Sequence, residues 1–251
     1  MKIYEMTHKE FAQITKSPIY TPLWVGAKNK KVPDKYLRDD CGDEISERNQ
    51  SYCELTGMYW IWKNSREDIV GVCHYRRYFT KERNLLPKLF LLSEKQIYRI
   101  MQEYDVILPQ RNHHEYSDST ALDFYARIHD VEDWNIVKGI IKDHYPEYYE
   151  DLLWFENEKI GYCYNMIISK KNTYDDYCEW LFDILFQAEN VIKMRNHDKY
   201  NQRVYGFLSE RLINIWIRHN HLLVKEVPVF QTDVKLITRV ENKICNLIKK
   251  F

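Results

Sequence analysis

Short apolar runs alternate along the chain with longer segments of helical periodicity, and this alternation constrains the fold more than any other feature. The runs are 2–6, 23–25, 69–73, 105–109 and 164–168. Each has the length and composition of a buried strand. Strands separated by helices are typical of a parallel or mixed sheet that helices cover. The order therefore predicts an α/β fold, in which ligands bind beyond the carboxyl ends of the strands.

Segments with helical signals separate these strands. Ser46 is placed to cap a helix that runs to about Asn64, and Ser93 with Gln96 forms a capping box for a helix that runs to Tyr104. The remaining predicted helices are 118–129, 131–155 with an interruption near Pro146, a helix capped by Asn172, and a helix around 204–219. Only seven glycines and seven prolines interrupt the 251 residues, so one compact domain is expected over 1–232.

The segment 233–251 differs from the rest of the chain. Apolar residues line one face of a predicted helix there, and lysines and arginines surround that face. A basic amphipathic helix can lie on an anionic membrane surface or dock on its own domain, and the pattern favours neither. We therefore predict a basic amphipathic tail at 233–251.

The charge balance limits the classes of partner. Lysine and arginine together number 37, and so do aspartate and glutamate, so no global field attracts nucleic acid and any cationic site must be local. The six cysteines show no C-x-x-C motif and no metal-type spacing, which favours reduced thiols in a cytoplasmic protein. No segment approaches the ~18 apolar residues that cross a bilayer, and no signal-peptide core is present.

A dense cationic and aromatic segment, CHYRRYF at 73–79, ends the third predicted strand. Arg76 and Arg77 offer planar guanidinium groups that suit phosphate oxygens. Because neighbouring side chains of a strand point to opposite faces, only one of the two is expected to reach a ligand. From these residues alone a structural role for the arginine pair is favoured, and His74 is more often a hydrogen-bonded histidine than a base.

Two other polar groups precede this segment. In GDEISERN, 42–49, Ser46 and Asn49 stand at a predicted helix start, where backbone amides can receive an anion; a plain helix cap is the alternative. Glu54 lies in an otherwise apolar helix. It must be paired or functional, and an arginine of HYRRYF is an available partner.

Further polar candidates follow later in the chain. Asn165 places an amide in an apolar strand, where it can contact a sugar hydroxyl or hold a neighbouring loop. Glu210 is a candidate general base, and with Arg211 it is alternatively a structural ion pair. The sequence has no Gly-rich phosphate loop, no G-x-S-x-G, no H-E-x-x-H and no Asp-x-Asp. These absences exclude conventional hydrolases, kinases and dehydrogenases.

Five separated blocks occur in the order of a known family. The blocks are GDEISERNQSYCELTGMYWIWKN, GVCHYRRYF, DVILPQ, YNMIISKK with YCEWLFDIL, and RVYGFLSERL. Together they resemble the bacterial capsule and exopolysaccharide glycosyltransferases with an HYRRYF signature, formerly catalogued as a domain of unknown function, of which some are galactofuranosyltransferases. The resemblance covers about residues 2–229 and is specific because all five blocks coincide in order.

The resemblance implies an A-type glycosyltransferase-like fold, a mixed α/β sheet flanked by helices in a single domain with a C-terminal amphipathic helix. It implies transfer of a sugar from a nucleotide-sugar, UDP-galactofuranose, to a lipid-linked oligosaccharide in capsule, exopolysaccharide or O-antigen assembly. The expected partners are a UDP-sugar, a lipid-linked glycan and the inner membrane surface, without nucleic acid. The expected location is the cytoplasm or the cytoplasmic face of the membrane.

The residues add a mechanism to this resemblance. Most A-type transferases neutralise the donor diphosphate with a divalent metal held by Asp-x-Asp, whereas HYRRYF ends the corresponding strand here. We therefore expect guanidinium charge to replace the metal, without any cofactor, in an inverting displacement. The donor-binding candidates are Arg76, Arg77, Tyr75, Tyr78, Ser46, Asn49, Glu54, Asn165 and Arg211. Glu210 is the first and His74 the second candidate for the base, and Glu54 is expected to orient an arginine.

Two alternatives stay open. The same fold can use a pyranosyl nucleotide as donor, or the chain can be a noncatalytic sugar- or nucleotide-binding subunit of an assembly complex. The twenty tyrosines and seven tryptophans suit sugar stacking in either case. The separated polar segments favour an enzyme, because a binding module needs no base.

Overall fold

The computed structural model describes residues 1–81, 91–113, 119–192 and 197–233. Its strands are β1 (Lys2–Thr7), β2 (Tyr20–Trp24), β3 (Leu37–Arg38), β4 (Ile69–His74), β5 (Arg77–Phe79), β6 (Val106–Pro109), β7 (Asn112–His113), β8 (Ile160–Gly161), β9 (Ile167–Lys170), β10 (Val224–Val227) and β11 (Val229–Gln231). Its α-helices are α1 (Asn49–Tyr52), α2 (Leu55–Asn64), α3 (Glu94–Ile100), α4 (Ala121–Ile128), α5 (Val131–His144), α6 (Tyr149–Glu156), α7 (Lys171–Glu189) and α8 (Val204–His219).

A mixed sheet forms the centre of the molecule. Its order is β10-β6-β9-β4-β1-β2-β3, while β5 pairs with both β4 and β11. Strand β1 runs parallel to β2 and β4, and β6 runs parallel to β10. Strand β9 lies antiparallel between β4 and β6. The predicted mixed α/β architecture, in a single domain, is confirmed.

The two faces of the sheet are covered unequally. On one face, α1, α2 and α4 to α8 form a large core that includes Val106 and Leu108 of β6. On the other face, α3 and the β5–β11 pair form a smaller core that includes Ile107. Successive residues of β6 thus enter different cores, as the alternation of a strand requires. Burial on both faces explains why this strand is a continuous apolar run in the sequence.

Most predicted elements are present, and several of them differ from the prediction only at their ends. The capping box of Ser93 and Gln96 is confirmed at the start of α3. Helix α7 is capped at Lys170, so the prediction of Asn172 as its cap is wrong. Strand β9 begins at Ile167, which places Asn165 before the strand and not in it. These shifts of two or three residues leave the order of elements unchanged.

The single helix predicted from Ser46 to Asn64 is wrong. A 3-10 turn at Ser46–Arg48 and the short α1 precede a break, after which α2 begins. Cys53 adopts φ 52° at this break, a region that favours glycine and that L-residues rarely adopt. The break places Glu54 at the N-cap position of α2, so it immediately precedes the helix and does not lie within it.

Gly57 allows α2 to pack closely against the sheet. A Cβ atom at this position would lie 2.6 Å from Met6 Sδ and 2.7 Å from Val25 Cγ1. Since Met6 belongs to β1, only a residue without a side chain allows the helix this close to the strand. The close approach holds the start of α2 beside the carboxyl end of β1.

The predicted amphipathic tail, 233–251, lies outside the described residues except for Asp233. Among the helices of the described ranges, none combines the length and the apolar character needed to cross a membrane.

Candidate active site

A cleft of about 540 Å³ lies beyond the carboxyl ends of β4 and β6. Several parts of the chain line it, among them the turn after β4, the segment before β9, the residue before α2 and the first half of α8. Its charged lining residues in the described ranges are Glu54, Arg76, Arg77, Arg203, Glu210 and Arg211. Four guanidinium groups thus face two carboxylates, which is a local positive excess in a chain without net charge.

The HYRRYF segment forms a tight turn and not a continuous strand. Strand β4 ends at His74, and Arg77, the first residue of β5, pairs with it across the turn. Arg76 and Arg77 consequently both line the cleft. The prediction that only one of them reaches the ligand side is wrong, because the reversal of the chain replaces the alternation of a strand.

The two guanidinium groups have different surroundings. The Nη1 atom of Arg76 donates to Asp233 Oδ2 at 3.0 Å, and both side chains are partly exposed. The Arg77 guanidinium lies over the ring of Tyr164, with its carbon 4.7 Å from the ring centre. In the described part of the chain, the buried Nε of each arginine has no hydrogen-bond partner. An unpaired buried donor leaves each guanidinium with unsatisfied hydrogen-bonding capacity.

Arg203 is a further cationic residue of the cleft, and the sequence reasoning missed it. It immediately precedes α8, and its Nε donates to Cys53 Sγ at 3.2 Å. Its guanidinium carbon lies 5.2 Å from the ring centre of Phe207, and the Phe207 ring lies 5.0 Å from that of Tyr200. The spacing of 200, 203 and 207 places the three side chains on one helical face. This spacing is the sequence signal that identifies them.

Glu210 is the carboxylate best suited to act as a base. It lies in the second turn of α8, and 26% of its side chain is exposed. Burial raises its pKa to about 7; Arg211, which pairs with it at 3.1 Å, opposes this rise, and Glu54 adds to it. A carboxyl group with a pKa near neutrality accepts a proton readily under physiological conditions.

His74 lines the same cleft but is a weaker base. Burial, and then the positive charges of Arg77 and Arg76, lower its pKa to about 3. The imidazole is therefore neutral at physiological pH. The backbone N–H of Arg76 points to its Nδ1 at 3.4 Å. A group with so low a pKa has little affinity for a proton, which favours Glu210 as the base.

Asn165 connects Glu54 to α8. Its Nδ2 donates to Glu54 Oε1 at 2.9 Å and to the carbonyl oxygen of Gly206 at 3.2 Å. Its Oδ1 accepts a hydrogen bond from Ser209 Oγ at 2.8 Å. The expected ion pair between Glu54 and an arginine of HYRRYF is not found in the described residues, where Glu54 accepts a hydrogen bond from the amide of Asn165. The buried amide is nearly saturated by these three bonds.

Ser46 and Asn49 do not line the cleft. Ser46 Oγ donates to Asp39 Oδ1 at 2.6 Å and accepts from the backbone N–H of Lys28 at 3.1 Å. Asn49 Nδ2 donates to the carbonyl oxygen of Cys53 at 2.6 Å. Their hydrogen bonds hold the loops before α2 in place.

Tyr75 and Tyr78 also lie outside the cleft lining. Tyr78 is fully buried and donates to Glu5 Oε1 at 2.8 Å. Tyr75 is buried edge-on against the ring of His8, with the ring centres 5.7 Å apart. Within HYRRYF, the cationic residues therefore face the cleft and these two tyrosines face the core.

A group with metal-type spacing occurs in the described ranges away from the cleft lining. It consists of Asp130, Asp133 and His197, whose ligand atoms lie within 4.8 Å of one another. Asp133 Oδ2 and His197 Nε2 already form a hydrogen bond at 2.6 Å. A hydrogen bond between two largely buried side chains accounts for this contact without a metal.

The chain is similar in sequence and in fold to known proteins. The sequence matches the family described as Domain of unknown function (DUF4422) over residues 2–221. The apo structure of WbbM, a bifunctional glycosyltransferase, is similar with a TM-score of 0.84 and 32% identity, over 93% of this chain and 45% of that one. The chain thus spans less than half of that protein. No curated protein matches the sequence. From the match over residues 2–221, the chain belongs to the DUF4422 family.

Proposed function

We propose that the chain is a glycosyltransferase that moves a sugar from a nucleotide-sugar donor to a glycan acceptor. The observation that carries this proposal is the placement of Arg76 and Arg77 in one cleft with Glu210. The similarity of 93% of the chain to part of a bifunctional glycosyltransferase supports it. The chain spans only 45% of that protein, so the proposed mechanism depends on the residues of the cleft.

In this mechanism, Arg76 and Arg77 bind the donor diphosphate. Negative charge develops on the leaving nucleoside diphosphate as its bond to the sugar breaks. Fixed guanidinium groups stabilise that charge, and their planar N–H donors match phosphate oxygens. Arg203, at the start of α8, adds a third cation to the same cleft.

Glu210 is the proposed general base. The acceptor hydroxyl oxygen forms a bond to the anomeric carbon of the donor while its proton passes to the Glu210 carboxylate. The bond from that carbon to the diphosphate oxygen breaks, and its electron pair leaves with the diphosphate. A single displacement of this kind inverts the anomeric centre and needs one base.

A divalent metal does not fit the residues that line the cleft. A-type transferases hold such a metal with paired aspartates, but the described lining has only Glu54 and Glu210 as carboxylates. Glu54 accepts a hydrogen bond from Asn165, and Glu210 pairs with Arg211. The excess of guanidinium groups further disfavours a dication there. We therefore propose metal-independent transfer.

The HYRRYF resemblance supports a more specific identity for the donor and for the acceptor. It favours UDP-galactofuranose, with a pyranosyl nucleotide as the alternative donor, and a lipid-linked acceptor in capsule, exopolysaccharide or O-antigen assembly. The aromatic residues of the cleft, which include Tyr162, Tyr164 and Tyr200, suit the stacking of sugar rings. The basic tail, 233–251, would hold the enzyme at the cytoplasmic membrane face, where such acceptors lie.

Incubation of the purified chain with a panel of UDP-sugars tests the proposal. We expect slow release of UDP from one UDP-hexose, faster release when a glycan acceptor is present, and equal rates with and without EDTA. The variant Asp133→Asn is assayed in parallel because EDTA can also act at Asp130, Asp133 and His197. If EDTA changes the rate of UDP release by the unaltered chain but not by Asp133→Asn, the effect arises at Asp130, Asp133 and His197 and not in the cleft.

Two results would contradict the proposal. Tight binding of a UDP-sugar without release of UDP under any condition would indicate a noncatalytic binding subunit. Loss of release in EDTA that manganese restores, in both the unaltered chain and Asp133→Asn, would show that a metal and not the arginines neutralises the diphosphate.

A further inference from the structure

Glu54 and Glu210 are the two carboxylates among the described residues that line the cleft. Both also line a small adjoining cavity, together with His74, Arg77 and Asn165. Glu54 precedes α2 and Glu210 belongs to α8, so the fold brings together two carboxylates that are far apart in the sequence. Two like charges that face the same space are unfavourable unless the surrounding groups hold them there.

The surroundings of Glu54 hold it in this position. Asn165 donates to Glu54 Oε1 at 2.9 Å, and the same amide is fixed to α8 through Gly206 and Ser209. No ion pair within the described ranges ties Glu54 to a cation. The preceding residue, Cys53, keeps a left-handed φ of 52°. Backbone strain of this kind persists only where surrounding contacts determine the conformation.

Charged groups from three elements face Glu210. Glu54 comes from the segment before α2, Arg77 from β5, and Arg203 and Arg211 from the segment that begins α8. Cys53, Cys163 and Tyr164 are the neutral titratable groups near it. Burial is the largest influence on the pKa of Glu210; of the four charged groups, only Glu54 acts in the same direction, and the arginines oppose it. Glu54 therefore offsets part of the field of the arginines.

We propose that Glu54, held by Asn165, is a positioning residue that keeps Glu210 basic enough to take the acceptor proton beside three arginines. This inference rests on the proposed function. Without Glu54, the nearby arginines would lower the proton affinity of Glu210 further. Glu54 acts through its charge on Glu210, and Asn165 acts by fixing Glu54, so neither needs to contact the sugar.

Direct titration of Glu210 tests this inference. The carboxyl carbon is followed by NMR in protein labelled with ¹³C-glutamate, and its signal is assigned by its loss in Glu210→Gln. In Glu54→Gln we expect the titration midpoint of Glu210 to move to lower pH by roughly half a unit, because a neighbouring negative charge is removed. In Asn165→Leu we expect a move in the same direction, because the amide that holds Glu54 beside Glu210 is removed. The pH profile of UDP release should follow both shifts.

The matched control is Asp151→Asn. This carboxylate pairs with Arg218 and His219 and does not line the cleft. The same chemical change is expected to leave the Glu210 midpoint in place. A cooperative thermal unfolding transition in each test variant shows that it is folded, which separates a charge effect from general damage to the fold.

The outcomes are distinguishable. A Glu210 midpoint that stays in place in either folded test variant overturns the inference. Shifts in the expected directions support it. If the midpoint shifts but the pH profile of transfer does not follow, the coupling of Glu54 to Glu210 stands, and it is the role of Glu210 as base in the proposed function that fails.

Discussion

Replacement of Arg77 by alanine is expected to lower kcat/KM for sugar transfer roughly 1000-fold, and replacement by lysine roughly 100-fold. Arg77 combines a stacked position over Tyr164 with a buried Nε that has no hydrogen-bond partner in the described residues. Lysine restores the charge but neither the planar set of donors nor the stacking. Steady-state kinetics, with calorimetric titration of UDP, measure both losses.

The chain offers a matched control for this change. Arg218 also stacks on an aromatic ring, 4.1 Å from the centre of Trp154, and pairs with Asp151 at 2.8 Å, but it does not line the cleft. We expect Arg218→Lys to transfer sugar at the normal rate. A change of less than about threefold in Arg77→Ala would be far below the cost of losing a transition-state donor and would remove Arg77 from the mechanism.

Replacement of Glu210 by glutamine is expected to lower kcat roughly 100- to 10,000-fold, while UDP binds almost as before. The variant lacks the base, but the arginines that hold the diphosphate are unchanged. In the unaltered enzyme, kcat should rise as the pH increases through about 7, because the raised pKa keeps Glu210 protonated below that value. This rise should be absent from the residual rate of the variant.

Thermal unfolding provides a second measurement on Glu210→Gln. The raised pKa means that the folded state favours protonated Glu210, so its contribution to stability is present at low pH and is lost as the pH rises through about 7. Glutamine resembles the protonated form. The variant should therefore be more stable than the unaltered chain above that pH. This result would show that the loss of activity does not come from unfolding.

Glu189→Gln serves as the control for the same chemical change. Glu189 pairs with Arg48 and lies outside the cleft lining. The activity and the pH profile of Glu189→Gln should equal those of the unaltered chain. Turnover by Glu210→Gln close to that of this control would exclude Glu210 as the base.

The order of the main elements was predictable because buried strands leave a strong pattern. Strand β6 is a continuous apolar run since both of its faces lie in a core. Strands β10 and β11 leave no such pattern, because they are short and only partly buried. They form where β6 and β5, more than a hundred residues earlier, offer partners. Local sequence does not contain that information.

Two local errors share a tertiary cause. The break at Cys53 separates α1 from α2, and the thiol there accepts a hydrogen bond from Arg203, 150 residues away. The reversal at Arg76 is supported by Thr232, whose backbone N–H donates to the Arg76 carbonyl oxygen at 2.9 Å. Both departures from regular structure depend on distant contacts. Because periodicity reports only local sequence, it predicted a helix that continues through Cys53 and a strand that continues through Arg76.

The candidate site was predictable in its charges and less so in its small polar residues. Arg76, Arg77 and Glu210 stand out because charged groups beside buried elements need a reason to be there. Ser46 and Asn49 lie outside the cleft lining, and the sequence could not indicate this because a hydroxyl or amide can serve the backbone as readily as a ligand. Asp39 accepts the hydrogen bond of Ser46. It lies in a turn-rich stretch whose sequence pattern does not predict that this residue is buried.

A crystal structure of the chain with UDP tests the central claim most directly. We predict that diphosphate oxygens lie within about 3 Å of guanidinium nitrogens of Arg76 or Arg77, with Glu210 beside the open end of the diphosphate, where the sugar would be attached. Phosphates bound away from both arginines, or through a metal ion held by other residues, would contradict the account.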